Sequence, residues 1–243
     1  MAHYLSASAV SAKNLAEEKD AIKTLIGDIS HQTKTPIANL LLYAQLLEEQ
    51  DLPPESREYV SALEHQAEKL RFLIDALVKT SRLESGVLAM TPKRHGIQQL
   101  LDAASAQAAP GAEAKAITLT VEPTDLTARF DPKWTAEALY NLVDNAVKYT
   151  PAGGAVTLRA VGYELFCRVD VTDTGPGIPE SEQARIFQRF YRSPSASEAE
   201  GVGIGLYLAR QIAAGQGGYL KVSSRPGEGS TFSPVLPRAE ERT

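Results

Sequence analysis

Asp28-Ile29-Ser30-His31-Gln32-Thr33-Lys34-Thr35-Pro36-Ile37 sets a histidine and a proline inside what otherwise reads as one long amphipathic helix. At about 100° per residue, Ile22, Leu25, Ile26, Ile29, Ile37, Leu40, Ala44 and Leu47 fall on one apolar stripe. His31 projects roughly 160–200° from the middle of that stripe. A histidine kept for packing belongs on the stripe, so the pattern predicts a solvent-facing imidazole. Thr35 lies one turn along on the same face. Pro36 removes an amide and crowds the carbonyl of Gln32, which loosens the backbone beside His31. Exposed histidines are usually idle, so a reason for this one must come from the rest of the chain.

Working outward, the helix is expected from about residue 11 to residue 50, and Asp51-Leu52-Pro53-Pro54 breaks it. A pair of prolines cannot continue a helix but can begin one. A second helix is expected from about Glu55 to Leu83. Its stripe is Tyr59, Leu63, Ala67, Leu70, Leu73, Ile74, Leu77 and Val78. Two such helices cannot bury their stripes alone. The simplest solution is a hairpin that dimerises into a four-helix bundle; a monomeric hairpin folded onto the following domain is the alternative.

Composition sets the outer bounds. The 243 residues suffice for one large domain or two small ones, and 43% hydrophobic with 23% charged content is ordinary for a soluble globular chain. A net charge of −5 argues against a nucleic-acid binder. The single cysteine rules out an internal disulfide and fits a reducing compartment. No apolar run approaches the roughly 18–20 residues of a membrane span, so no membrane contact is expected within this chain. The first residues lack the charged region, apolar core and cleavage site of a signal peptide.

After Ser85-Gly86 the pattern changes, placing a domain boundary near Leu88: residues 1–87 form the helical hairpin and 88–243 a second domain. An edge strand is expected over 88–94, an alanine-rich helix from Ile97 to Ala109, and a strand over 117–121. Asp131-Pro132 opens a helix over about 132–149, with Asp131 as N-cap and Pro132 at the first helical position. Strands near 155–162 and 164–172 follow as a hairpin, then helices near 180–189 and 203–215, then strands near 218–224 and 230–236. Helices interleaved with a mixed, largely antiparallel sheet predict an α/β sandwich of one sheet and one helical layer. Ser193 to Glu200 is polar enough for a loop. Cys167 shares a predicted strand face with Leu165, Val169 and Val171 and reads as core, and Trp134 reads as packing. His3, His65 and His95 lack clustered ligand partners.

Four clusters in the second domain carry chemistry. On the helix over 132–149, Leu139, Leu142, Val143 and Ala146 form the inward stripe. Asn141 and Asn145 stand one turn apart on another face, with Lys148 beside them. Asparagine is a poor helix former, so two of them mid-helix need a reason. Their carbonyl oxygens suit a hard cation such as Mg²⁺ carrying nucleotide phosphates, which Lys148 can also answer. A plain polar helix face is the competing reading. Asp173-Thr174-Gly175-Pro176-Gly177 ends an apolar strand with glycines that permit close backbone approach and a carboxylate able to accept from an exocyclic amine. Gly201-Val202-Gly203-Ile204-Gly205-Leu206 precedes a helix whose first amides can face phosphate. Gly227-Glu228-Gly229-Ser230 turns into the last strand. Between the second and third clusters, Ile186 to Arg192 supplies the aromatics Phe187, Phe190 and Tyr191 as anchors for a loop hinge.

In this order and spacing the clusters resemble the boxes of sensor histidine kinases of two-component systems, from about residue 20 to the C-terminus. Ser30-His31 through Thr35-Pro36 resembles the phosphoacceptor box, Asn141 to Tyr149 the asparagine box, Asp173 to Gly177 and Gly201 to Gly205 the two glycine boxes, and Phe187 with Phe190 the phenylalanine box. The resemblance implies a Bergerat-type (GHKL) ATP-binding fold, with residues 191–203 as a lid. It implies phosphorylation on His31, Asp173 reading adenine, Tyr149 flanking the base, Asn145 and Asn141 at Mg²⁺, Lys148 on phosphate and Arg192 near the γ-phosphate. Gly175, Gly177, Gly203, Gly205, Leu206 and Ser230 complete the implied nucleotide contacts. It further implies a homodimer, a response-regulator receiver domain as partner, and a cytoplasmic catalytic portion of a membrane sensor.

One position departs from the family's usual pattern. Gln32 stands where the family usually keeps Glu or Asp; it can hold the second ring nitrogen by a hydrogen bond but supplies no charge to a developing imidazolium. Slower but competent autophosphorylation is the expectation. Thr35, where the family keeps a hydroxyl or amide, is expected to orient water for dephosphorylating the partner. The alternatives are a related GHKL ATPase, a serine-directed kinase, and a phosphatase-biased or non-catalytic nucleotide-binding scaffold. The helical hairpin with His31 and Thr35-Pro36 argues against the first two.

Overall fold

The computed structural model describes residues 2–84, 90–193 and 202–239; within the helices, the side chains of residues 2–20, Ile22, Lys23, Ile26, His31 and Glu84 also lie outside it. The chain divides into two compact units, Met1–Ala89 and Met90–Thr243. The expected boundary at 87/88, the orientation of His31 and the loop over 193–200 fall wholly or largely outside the described residues.

The first unit is a helical hairpin of α1 (Ala2–Glu48) and α2 (Pro54–Glu84). Helix α1 begins well before residue 11, because no glycine or proline interrupts the chain before Gly27, and it continues through Pro36. Pro54 opens α2, where a missing amide costs nothing. The expected α1 stripe splits in two. Ile37 and Ala44 of that stripe are buried, and Ile37 together with Leu41, which the stripe did not include, packs against Ala67 and the half-buried Ile74 of α2. Leu25, Ile29, Leu40 and Leu47 stay exposed, as do Tyr59, Leu63, Leu70 and Leu77 on α2. Lys34 and Asp75 pair across the hairpin at 2.8 Å, an exposed contact contributing at most about 1 kcal/mol.

The second unit is an α/β sandwich. Its elements are β1 (Lys93–Gly96), α3 (Ile97–Ala114), β2 (Thr118–Val121), β3 (Thr127–Phe130), α4 (Pro132–Tyr149), β4 (Ala155–Gly162), β5 (Phe166–Asp173), α5 (Glu180–Gln183), a 3-10 turn (Arg185–Phe187), α6 (Gly205–Gly215), β6 (Tyr219–Arg225) and β7 (Gly229–Pro237). The main sheet has the order β2-β4-β5-β7-β6, with β2 and β4 parallel and the other pairs antiparallel. Helix α4 packs between α3 and α6 over the sheet. Leu101, Leu139, Leu142, Val143, Leu158, Val169, Val171, Ile212 and Leu236 are fully enclosed there. Each such side chain contributes about 1.5–3 kcal/mol by leaving water.

Several expectations need correction. The strand placed over 88–94 is Lys93–Gly96, and it pairs with β3, a strand the sequence reading omitted; together they form a separate two-stranded sheet. Helix α3 runs past Ala109 and Pro110 to Ala114, because the inward line Ala104, Ala108, Ala112 continues beyond the proline. The helix expected over 180–189 is only α5 and the 3-10 turn. Gln188 is extended and Phe190 takes a left-handed φ of 60°, which no helix accepts. Cys167 is buried as expected, which pushes its thiol up to about 11, and Val169 and Val171 share its face. Leu165, however, lies before β5 and is exposed.

Candidate functional site

Helix α4 is the backbone of the site. Asp131 caps it, accepting from the amides of Lys133 and Trp134 at 3.1 and 3.3 Å, with Pro132 at the first helical position. The same carboxylate accepts from the Thr91 amide at 3.0 Å. Burial alone would push the Asp131 carboxyl up, but the bonds from Thr91, Trp134 and Lys133 outweigh it and hold it below its ordinary value. At the far end, Nζ of Lys115 donates to the carbonyls of Val147 and Lys148, both at 2.8 Å, meeting the negative end of the helix dipole. Gln216, after α6, is buried. Its Oε1 accepts from the Asp131 amide at 2.5 Å, and its Nε2 donates to the Ile212 carbonyl at 3.1 Å. The start of α4 and the end of α6 are thereby fixed to each other.

At the C-terminal end of α4 stands a buried carboxylate. Asp173 closes β5, and its Oδ1 accepts from the amides of Gly175 at 2.8 Å and Ser230 at 3.2 Å. Burial pushes its carboxyl up, and the two amide bonds offset only part of that. Among the described residues no bond is made to Oδ2, which leaves one acceptor open to a partner. A Cβ on Gly175 would lie 2.8 Å from Asp173 Oδ1 and 3.0 Å from the Tyr149 carbonyl, so Tyr149, Asp173, Gly175 and Ser230 meet in one place. Gly177, at φ 72°, has no room for a Cβ against the Arg225 carbonyl. The close approaches observed at these two glycines are therefore to the chain's own atoms, the Asp173 carboxylate and Tyr149 carbonyl at Gly175 and the Arg225 carbonyl at Gly177. Ser224 secures the loop: its Oγ accepts from the Ile178 amide at 2.8 Å and shares a 2.9 Å bond with Ser230 Oγ.

About two turns back along α4 lies a second meeting point. Asn141 donates through Nδ2 to the Glu137 carbonyl at 2.9 Å, which turns its Oδ1 outward. That oxygen sits 3.1 Å from where a Cβ on Gly205 would be, beside the first turn of α6. The first amides of that helix have no intrahelical partner. Asn145 follows, half-buried on the same face. An outward amide oxygen, a second asparagine one turn on and free helix amides make an oxygen-donor set that fits a hard divalent cation with phosphate. Lys148 is held by Asp144, Nζ to Oδ2 at 2.6 Å. Gly203, at φ 74°, accepts from the Phe190 amide at 2.9 Å, which joins the chain before and after residues 191–202. Phe187 is buried with Arg210 over its ring at 5.6 Å, and Arg189 stacks on Tyr207 at 5.0 Å. Arg192 and Leu206 are half-buried nearby in the chain, on the loop and on α6.

Thus Tyr149, Asp173, Gly175 and Ser230 gather at the C-terminal end of α4, and Asn141 with Gly205 near the middle of the helix. His31, Gln32 and Thr35 belong to α1 in the first unit; Gln32 and Thr35 are exposed. The sequence reading overlooked Asp144, Lys115, Gln216 and Ser224. Only Asp144, four residues before Lys148, carried a signal.

Two family models match the chain: the His Kinase A (phospho-acceptor) domain over residues 21–86, and the histidine kinase-, DNA gyrase B- and HSP90-like ATPase over residues 130–240. The chain belongs to the sensor histidine kinases. It is 34% identical to the sensor protein DivL of Caulobacter vibrioides over 97% of this chain and 31% of that protein. It is 31% identical to the circadian input-output histidine kinase CikA of Synechococcus elongatus over 94% of this chain and 32% of that protein. The chain therefore spans about a third of the length of these relatives. Among solved structures it resembles full-length ShkA in complex with AMPPNP, with a TM-score of 0.74 and 29% identity over 89% of this chain and 47% of that one. The mycobacterial sensor histidine kinase MprB aligns with a TM-score of 0.54 and 26% identity over 62% of this chain and 99% of that one. Among the described residues no helix is long and apolar enough to cross a membrane.

Proposed function

We propose that this sensor histidine kinase chain moves the γ-phosphoryl group of ATP to His31 and then to an aspartate of a response-regulator receiver domain. It does so as a homodimer, and it also dephosphorylates that aspartate. The observation that carries the reading is the pair of open acceptors along α4: the free Oδ2 of Asp173 near Tyr149, and the outward Oδ1 of Asn141 beside the first turn of α6. Eight residues of helix separate Asn141 from Tyr149, about 12 Å at 1.5 Å per residue, a span suited to an extended nucleoside triphosphate. The ShkA structure was solved with an ATP analogue, which supports the same ligand class here.

In this reading Asp173 accepts from the adenine amine and Tyr149 flanks the base. The α6 amides, Lys148 and Arg192 receive the phosphates. Asn141 and Asn145 would hold a magnesium ion, which supplies neutralisation of phosphate charge when bound. A neutral ring nitrogen of His31 attacks the γ-phosphorus in line. The N–P bond forms as the bond to the β,γ-bridging oxygen breaks, ADP departs, and the proton on the other ring nitrogen leaves to solvent. Gln32 fixes that second nitrogen through its amide oxygen, and Thr35 orients the water that hydrolyses the partner's aspartyl phosphate, releasing inorganic phosphate.

The homodimer is supported by the exposed apolar positions of the hairpin. Leu25, Ile29, Leu40 and Leu47 of α1 and Tyr59, Leu63, Leu70 and Leu77 of α2 are 43–64% exposed. On each helix they lie in the same rotational sense from the inward line, and because the helices are antiparallel both sets face one side of the hairpin. A second copy covers that side in a four-helix bundle. The full chain incubated with γ-labelled ATP and Mg²⁺ should acquire an acid-labile, base-stable label that His31→Ala abolishes. ATP binding without label would instead establish a nucleotide-binding scaffold.

A further inference from the structure

Asp144 has no task in the reading above, yet it lies at the centre of the polar face of α4. It follows Asn141 by three residues, a surface neighbour on a helix, and precedes Lys148 by four. Its Oδ2 holds Lys148 Nζ at 2.6 Å, with both side chains about one-third exposed. Its charge is also felt at Tyr140, one turn earlier, where burial first and Asp144 second push the phenol up.

We propose that Asp144 makes nucleotide uptake depend on the divalent cation, by cancelling the charge of Lys148 and placing a carboxylate beside the phosphate position. This rests on the reading that Lys148 and the first turn of α6 receive phosphate. A lysine alone beside free helix amides attracts any polyphosphate, with or without metal. Paired with Asp144, Lys148 contributes no net charge, and only the partial charge of the helix terminus remains. A metal-free triphosphate then gains almost nothing from Lys148, because the carboxylate offsets the lysine's attraction. When a cation held by Asn141 and Asn145 accompanies the phosphates, that carboxylate faces positive charge instead, and repulsion becomes attraction. At water-like screening, one charge a few ångströms from a phosphate shifts binding by roughly tenfold. The pair also anchors the flexible lysine stem, so the ammonium meets phosphate already placed.

The test is binding rather than turnover. Affinity of the full chain for AMPPNP is measured by titration calorimetry in Mg²⁺ and in EDTA, for the wild type, Asp144→Asn and Asp144→Glu. The ratio of the two affinities should fall roughly tenfold in D144N, chiefly through tighter binding in EDTA, and D144E should keep the wild-type ratio. A purely structural ion pair would alter thermal stability and leave the ratio alone, and an unchanged ratio in D144N overturns the inference. If the wild type fails to bind AMPPNP in Mg²⁺, the assignment of the nucleotide site falls and this inference falls with it. If Lys148→Met binds as the wild type does in both media, the phosphate role of Lys148 is wrong and so is the role given to its partner.

Discussion

Asp131 and Asp173 are both buried carboxylates, and the surrounding donors push them in opposite directions. The carboxyl of Asp131 is held low, so folding is favoured above the unfolded pKa of about 4, and that contribution is lost as pH falls through the lower folded value. The carboxyl of Asp173 is pushed up by burial, so its contribution is fullest below about pH 4 and is lost as pH rises through the higher folded value. Thermal unfolding followed against pH should therefore show Asp173→Asn more stable than the wild type at pH 7, and Asp131→Asn with a flattened acid limb. Asp173→Asn keeps an acceptor for the Gly175 and Ser230 amides but puts an NH₂ where Oδ2 stood. That donor opposes the adenine amine, so nucleotide affinity should fall by ten- to a hundredfold, about 1.5–3 kcal/mol. Unaltered affinity would remove Asp173 from adenine recognition. Gln32→Glu adds charge beside the imidazole and should raise the single-turnover rate of autophosphorylation; an equal or lower rate would show that Gln32 does not limit it. The cap at Asp131 was legible because Asp-Pro before an amphipathic run has one local meaning. The bond it accepts from the Thr91 amide and the one its own amide donates to Gln216 were not, since nothing local links residues so far apart in the chain.

At the scale of elements, α4 is held at both ends: Asp131 and Gln216 at its start, Lys115 at its last carbonyls. Gln216→Leu would leave the Asp131 amide and the Ile212 carbonyl unpaired and should cost about 2–4 kcal/mol in thermal unfolding. A loss below 1 kcal/mol would mean that water replaces the amide. Helix α4 itself was legible to its first and last residues, as its inward stripe, cap and N1 proline agree. β3 was missed because Thr127-Ala128-Arg129-Phe130 alternates over only four residues, too short to stand out. Its partner β1 carries Lys93-Arg94-His95-Gly96, with no apolar signal at all. The glycines of the Asp173 turn were visible as a cluster, but their reason was not. Only the fold shows Gly177 pressed on the Arg225 carbonyl rather than kept open for a ligand.

For the whole molecule, the two stripes read from α1 and α2 predicted a face larger than one hairpin can cover, and the structure leaves that face open. Leu70→Glu should convert the dimer to a monomer in sedimentation, because a charge in a bundle core is costly to bury. An unchanged sedimentation coefficient would place the dimer contact elsewhere.

The bond from the Phe190 amide to the Gly203 carbonyl has a consequence for how such chains can diverge. It fastens the chain at Phe190 to the chain at Gly203, so both points keep their place whatever length of sequence lies between them. With the ends already joined, doubling the number of residues between them adds only about 0.6 kcal/mol of closure entropy. Insertions and deletions between Phe190 and Gly203 are therefore the cheapest changes of length near the site.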